Sequence, residues 1–453
     1  MLTDEEVMLL VQLEYLGKEV ENAAGIALSE SDLANVAGIV RAFDEPAMER
    51  LAARGVGFPS GPEWTAILRA IKANARLMEL RCVMRNNEVF ATCYLDSFED
   101  AYVTFRGTAT GEEWLDDVKG AFGAETESQK KALGFIESLP FDNMTVAGHS
   151  KGGNKAQYIA ILSKKVARCI SMDGQGFSKE FLEKYPAEIA ANASKIRNYS
   201  LATDYVHIHL FEIPGAEHIF CEGDQRLAGV RNHSSSAFYQ YELDAEGHLQ
   251  IVMTPEGQTN LIQTTENEGM QYLHEFSRFL LDNVPDERKE EATERLGNAL
   301  AMAMSPDYTV QENGITYSHN NLLAYIFSNQ ETAALLLAYL LKFADKRGFS
   351  ESQFLALLDA FGLTNIYRIL YFAVHKLFRK STRENGKSLL TFLLEELKAD
   401  RRNYLIETSL VVLHRTWLKR HMQRKYGEDV DLRKLWRDVK EEYGKLVGLS
   451  LNQ

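Results

Sequence analysis

Thr145-Val146-Ala147-Gly148-His149-Ser150-Lys151-Gly152-Gly153-Asn154 decides how this chain is read. An apolar run ends in Gly-x-Ser-x-Gly and a stretch of helical period follows over 152–166, so a strand turns sharply into a helix at Ser150. Such a turn is tight, and Gly148 and Gly152 let backbone and neighbouring elements approach where a side chain would collide. It presents Ser150 in a strained position at a helix N-terminus, with the backbone N–H of Lys151 facing any oxyanion that develops there. One such donor is worth about 3 kcal/mol of transition-state stabilisation. The same stretch also spells Gly-x-x-x-x-Gly, but Asn154 stands where a phosphate-binding loop needs its lysine, and no Ser or Thr follows Lys155 to hold magnesium. Nucleotide binding is therefore not expected.

Working outward, the chain alternates strand and helix around this turn. Runs at 82–84, 89–94 and 101–105 have period two and are separated by Asn86-Asn87 and the polar 97–100 segment, which predicts an antiparallel lead-in. Then come a helix over 128–139, strands at 144–147, 168–172 and 196–201, and helical stretches between them at 152–166 and 179–185. Alternation of this kind implies an α/β fold with a largely parallel sheet, whose ligands bind beyond the carboxyl ends of the strands. Residues 1–78 are helical in period, with cap-like starts at Thr3, Ser31 and Gly61-Pro62. Past Thr254 the reading is helical, near 266–281, 320–343, 351–377, 387–398 and 404–426. At 453 residues two domains are expected: 1–255, made of a helical entry segment (1–78) and a catalytic core (79–255), and a separate helical domain at 256–453.

A formal charge of −14 argues against general nucleic-acid affinity, although it is unevenly spread. From Lys376 onward there are 18 Lys+Arg against 11 Asp+Glu, so that segment carries +7 and the remainder −21. Basic helices carrying Trp417, Leu418 and Trp436 would suit peripheral contact with an anionic lipid surface, or equally a homo-oligomer contact. The longest apolar run, 333–341, is too short to cross a bilayer. The acidic start Met1-Leu2-Thr3-Asp4-Glu5-Glu6 is unlike a signal peptide, and Cys82, Cys93, Cys169 and Cys221 show no Cys-x-x-Cys spacing, so a cytoplasmic protein with reduced thiols is expected. No His-Glu-x-x-His, paired Cys-x-x-Cys or EF-hand pattern occurs, so the expected chemistry needs no metal and no cofactor.

Three segments together, Tyr102-Val103-Thr104-Phe105-Arg106-Gly107-Thr108, Trp114-Leu115-Asp116-Asp117 and Gly148-His149-Ser150-Lys151-Gly152-Gly153, resemble the class 3 (fungal-type) lipases and their uncharacterised bacterial relatives, which are α/β-hydrolases. The resemblance covers roughly 80–241. It implies that Thr108 supplies a second oxyanion donor beside Lys151, and that Arg106 pairs with Asp117 to support that loop. Lipases usually carry an apolar residue after the nucleophile, and Lys151 departs from this, which puts triglyceride in doubt as substrate and would suit one bearing a negative group.

The α/β-hydrolase order of serine, acid and histidine along the chain sets the remaining candidates. Asp173 follows one strand and Asp204 the next; Asp204-Tyr205-Val206 fits the family's acid, whereas Met172-Asp173-Gly174-Gln175-Gly176-Phe177 matches a glycine-rich loop. His207 and His209 lie too near Asp204 and read as satisfied polar residues. His218 and His248 stay open, but Asn232-His233-Ser234 before Ala237-Phe238-Tyr239 resembles the family's histidine. The expected triad is Ser150, Asp204 and His233, acting on a lipid or small-molecule ester. A binding protein that keeps the fold without catalysis, and a thioesterase or peptidase on the same residues, are the competing readings.

Overall fold

The computed structural model describes residues 1–54, 57, 59–107, 124–204, 206–207, 210–224, 226, 232–285, 308–318, 328–350 and 431–447, with isolated positions between 287 and 398. Two compact units emerge, the first built from Met1–Ala109 and Gly120–Asn267, the second including Glu268–Gln453.

The first unit opens with six helices: α1 (Asp4–Gln12), α2 (Lys18–Ala24), α3 (Val36–Ala42), α4 (Glu45–Ala53), α5 (Gly61–Ala73) and α6 (Ala75–Met78). Their starts are chemically marked. Thr3 and Glu6 form a reciprocal capping box on α1, Asp44 caps α4, and Ser60 with Glu63 caps α5. Next come β1 (Arg81–Asn86), β2 (Ala91–Leu95) and β3 (Ala101–Phe105), paired antiparallel as the alternating runs predict.

After β3 the order is α7 (Glu127–Ser138), β4 (Met144–His149), α8 (Lys151–Leu162), β5 (Val166–Met172), α9 (Lys179–Lys184), α10 (Pro186–Asn192), β6 (Ile196–Leu201) and β7 (Glu217–Cys221). Strands β3 to β7 pair in parallel, in chain order. Short strands β8 (Tyr241–Leu243) and β9 (Leu249–Ile251) form a hairpin, and β10 (Gln263–Thr264) returns to close the far edge antiparallel to β7.

β2, β3 and β4 are buried at every residue, because helices cover both faces. One core joins the entry helices (Val7, Leu10, Trp64, Ile67) to Tyr94, Tyr102, Ile170 and Leu201. The other packs Ala132 and Ile136 of α7 and Ala156, Ile159 and Ala160 of α8 against Cys93, Val103 and Val146. All four cysteines are free thiols.

Beyond Thr254 the reading of helix alone is corrected. β10 belongs to the sheet, and Val310–Glu312 pairs with Ile315–Tyr317 as a hairpin in the second unit. Both are two or three residues long, below the length at which alternation can be told from chance. The helices there include Glu268–Asn283, Gln330–Arg347 and Leu432–Leu446. Most of the stretches read as helical at 351–377, 387–398 and 404–426, with Trp417 and Leu418, lie outside the described residues. Among the described residues no helix is long and apolar enough to cross a membrane.

Candidate active site

The bend after β4 is as sharp as its glycines require. Ser150 has φ 58° and ψ −125°, a conformation costly for any residue with a side chain, and it is held from both sides. Its N–H donates to the Met172 carbonyl (2.8 Å) and its C=O accepts from Asn154 N–H (3.0 Å). A Cβ on Gly148 would lie 2.3 Å from the Gly152 backbone, and one on Gly152 would lie 2.3 Å from the Phe105 carbonyl oxygen. Asn154 reaches back to the glycine-rich loop, its Nδ2 donating to the carbonyls of Gln175 (3.1 Å) and Gly176 (2.9 Å), and its Oδ1 accepting from Gln129 (2.7 Å). Lys155 is buried and donates to the Val89 carbonyl.

Around this bend the structure brings together Ser150, His233 and Asp204. His233 Nε2 lies 2.9 Å from Ser150 Oγ, and His233 Nδ1 lies 2.6 Å from Asp204 Oδ1. All three side chains are buried. His233 stands just before a 3-10 turn (Ser235–Phe238), and Asp204 ends a turn leaving β6, with its N–H donated to the Leu201 carbonyl (3.0 Å).

The second oxygen of Asp204 is equally committed. Oδ2 accepts from the N–H groups of Val206 (2.8 Å) and His207 (2.9 Å) and lies 3.2 Å from His207 Nδ1, while His207 Nε2 lies 3.4 Å from Glu266 Oε1. Burial alone would raise the Asp204 carboxyl, but the neighbouring His233 and the hydrogen bonds from both imidazoles outweigh it and hold the group well below the carboxylate range. Burial likewise opposes charge on His207, yet the hydrogen bonds to Asp204 and Glu266 bring it up to about 9, so this ring is an imidazolium at neutral pH.

Asp173 differs sharply. Fully buried beside Asp204, it accepts a hydrogen bond from Leu201 N–H (2.8 Å) at Oδ1, and among the described residues its Oδ2 has no hydrogen-bond partner. Burial first, and the Asp204 charge second, push its carboxyl well above the ordinary range.

The other candidates are accounted for. His218 lies on β7, bonded to Ser200 Oγ (2.9 Å) and Glu212 (2.8 Å), and His248 is in the β8–β9 turn beside Asp244. Arg106 stacks over the Phe90 ring, 3.8 Å from its centroid, and its Nε donates to the Gly107 carbonyl (3.2 Å). Lys151 is the first residue of α8, so its N–H is among those that a helix leaves unbonded within itself. Thr108, Trp114, Asp117, Tyr205 and His209 lie outside the described residues.

Two groups of buried side chains, His149 with Asp173 and His233, and Asp173 with Asp204 and His207, bring ligand-type atoms within 4.8 Å of one another; each shares members with the serine–histidine–aspartate string. Sequence reasoning passed over three participants. His207 was legible as a polar residue three positions after Asp204, but not as its second imidazole. Tyr15, whose hydroxyl lies 2.6 Å from His149 Nδ1, and Gln12, which donates to the Ser235 carbonyl (3.1 Å), come from the entry segment and carry no motif at all.

Ser150, His233 and Asp204 thus form a hydrogen-bonded string of hydroxyl, imidazole and carboxylate, an order of groups that is chemically capable of nucleophilic acyl transfer. No curated protein matches the chain. Residues 76–292 match the model of the Mbeg1-like family, a lipase-like family.

Proposed function

We propose that the protein is a serine hydrolase that cleaves a carboxylic ester of a lipid or acylated small molecule through an acyl-enzyme on Ser150. The observation that carries this reading is the Ser150 Oγ to His233 Nε2 to Asp204 string, set on a strained strand-to-helix bend. His233 takes the Ser150 proton as Oγ bonds to the ester carbonyl carbon. The oxyanion so formed faces the Lys151 N–H at the helix start, and Thr108 by the resemblance. As the tetrahedral centre collapses, the C–O bond to the alcohol breaks and His233 returns the proton to the departing oxygen. Water then repeats the sequence on the acyl-enzyme, releasing the acid and restoring Ser150. Asp204 stays ionised throughout and stabilises the imidazolium. Hydrolysis of a p-nitrophenyl ester series tests the proposal: wild type should turn over with a chain-length preference and Ser150→Ala should not. Equal rates from the two proteins would refute it.

A further inference from the structure

Helix α1 and the 3-10 turn after it (Leu13–Tyr15) place three side chains within four residues on three separate parts of this site. Gln12, fully buried, donates to the Ser235 carbonyl (3.1 Å) and accepts from Ser235 Oγ (2.7 Å), gripping the loop two residues past His233. Glu14 accepts from Thr104 Oγ (2.6 Å) and Thr92 Oγ (3.1 Å) on the strands that lead into the Arg106-Gly107 turn.

Tyr15 reaches furthest in. Its hydroxyl accepts the Gly107 N–H (3.0 Å) and lies 2.6 Å from His149 Nδ1. The His149 ring in turn lies against the His233 ring, with centroids 4.8 Å apart and planes at 34°. Gly107 is packed between these groups: a Cβ there would fall 2.5 Å from the Tyr15 hydroxyl, 2.6 Å from the His149 carbonyl oxygen and 2.9 Å from Ser150 Cβ. One phenolic oxygen therefore touches both the Arg106–Gly107 peptide and the imidazole that lies against His233.

We infer that Tyr15 is a positioning residue of the ester-cleaving centre, fixing the Gly107 turn on the oxyanion side of Ser150 and the His149 ring against which His233 rests. The inference depends on the reading of Ser150 as nucleophile. Burial first, and the neighbouring His233 second, hold the His149 imidazole well below its ordinary range, so it serves as a neutral wall, and its Nδ1 is satisfied by the Tyr15 hydroxyl. Tyr15 stands upstream of the matched residues 76–292, so the entry segment becomes part of the working site rather than a cover.

The logic predicts a selective defect. A displaced Gly107 turn costs little while the substrate carbonyl is uncharged and most when the oxyanion forms, so the loss falls on kcat rather than KM. Tyr15→Phe keeps the ring and removes only the oxygen. We expect kcat on a p-nitrophenyl ester to drop roughly tenfold, the scale of one lost positioning hydrogen bond, with KM within about twofold. Tyr15→3-fluorotyrosine keeps the hydroxyl and should hold kcat within about twofold of wild type. Thermal unfolding of both variants, measured alongside, separates lost rate from lost fold. A Tyr15→Phe kcat within twofold of wild type, a purely KM effect, or equal losses in the two variants would overturn the inference while leaving the nucleophile untouched. A wild-type chain inert to both the ester and a fluorophosphonate would instead remove the reading on which it rests.

Discussion

Replacing Asp204 by Asn tests the site most finely, because the structure dictates which way the amide must turn. Asp204 Oδ2 receives two backbone N–H groups, from Val206 and His207, whereas among the described residues Oδ1 meets His233 Nδ1 alone. An asparagine has one acceptor oxygen. Turning its NH2 toward two buried peptide donors would orphan both, at about 1–3 kcal/mol each, so the oxygen takes the Oδ2 place and the NH2 faces His233. His233 Nδ1 must then accept, its proton moves to Nε2, and that nitrogen can no longer take the proton of Ser150. The wrong tautomer of a triad histidine costs roughly 10^4 in kcat, or about 5.5 kcal/mol of barrier.

The control is Asp173→Asn. Asp173 accepts the Leu201 N–H and does not touch His233, and burial favours its uncharged form, so an amide of the same shape should leave kcat within about threefold. Steady-state hydrolysis of a p-nitrophenyl ester, normalised by active-site titration, measures both. A loss under tenfold in Asp204→Asn, or a larger loss in Asp173→Asn, would refute the assignment and transfer the orienting role to the strand before.

Two further outcomes follow from the same geometry. His207 titrates at about 9 in the folded protein against about 6.5 unfolded, so its contribution of about 3 kcal/mol is fully present below pH 6.5 and is lost as pH rises through 9. Urea unfolding of wild type and His207→Gln from pH 6 to 10 should show the two curves converging at high pH; a constant gap would contradict the imidazolium. Gly152→Ala and Gly134→Ala should move melting temperature in opposite directions. The first drives a Cβ to 2.3 Å from the Phe105 carbonyl and should cost roughly 3 kcal/mol, while Gly134 in α7 has nothing within 4 Å of a Cβ and should gain roughly 0.5–1 kcal/mol. Calorimetry that found both destabilising would break the argument.

What could be read from the sequence was what neighbouring residues encode. The elbow is a ten-residue sentence: strand period, glycines at fixed offsets and helix period are all local, so its place at the end of β4 follows from the chain itself. Asp204 and His233 needed more: the order of acid and base along such a chain leaves Asp173, His218 and His248 open as well, and it is the resemblance to the lipase family that points to Asp204 and His233. Tyr15 and Gln12 had no such help. Tyr15 meets His149 across 134 positions and Gln12 meets Ser235 across 223, and nothing in Gln12-Leu13-Glu14-Tyr15 distinguishes a positioning turn from an ordinary helix end. The closing strand β10 was missed for a related reason: two residues, Gln263 and Thr264, are made a strand by their partners Cys221 and Phe220 rather than by their own period. Asp173 and Asp204 both lie between Ser150 and His233, so order alone does not separate them, and the opposite directions in which their carboxyls shift come from burial and from neighbours distant in the chain.

The central claim is that Ser150 Oγ is an activated nucleophile. Treating the full chain with a fluorophosphonate at neutral pH and mapping the adduct by peptide mass spectrometry addresses it directly. One phosphonyl group per chain, on the peptide carrying Gly148-His149-Ser150-Lys151 and absent from a folded Ser150→Ala protein, is the predicted result. A wild-type chain that stays unmodified, or carries the group at another serine, would contradict the account.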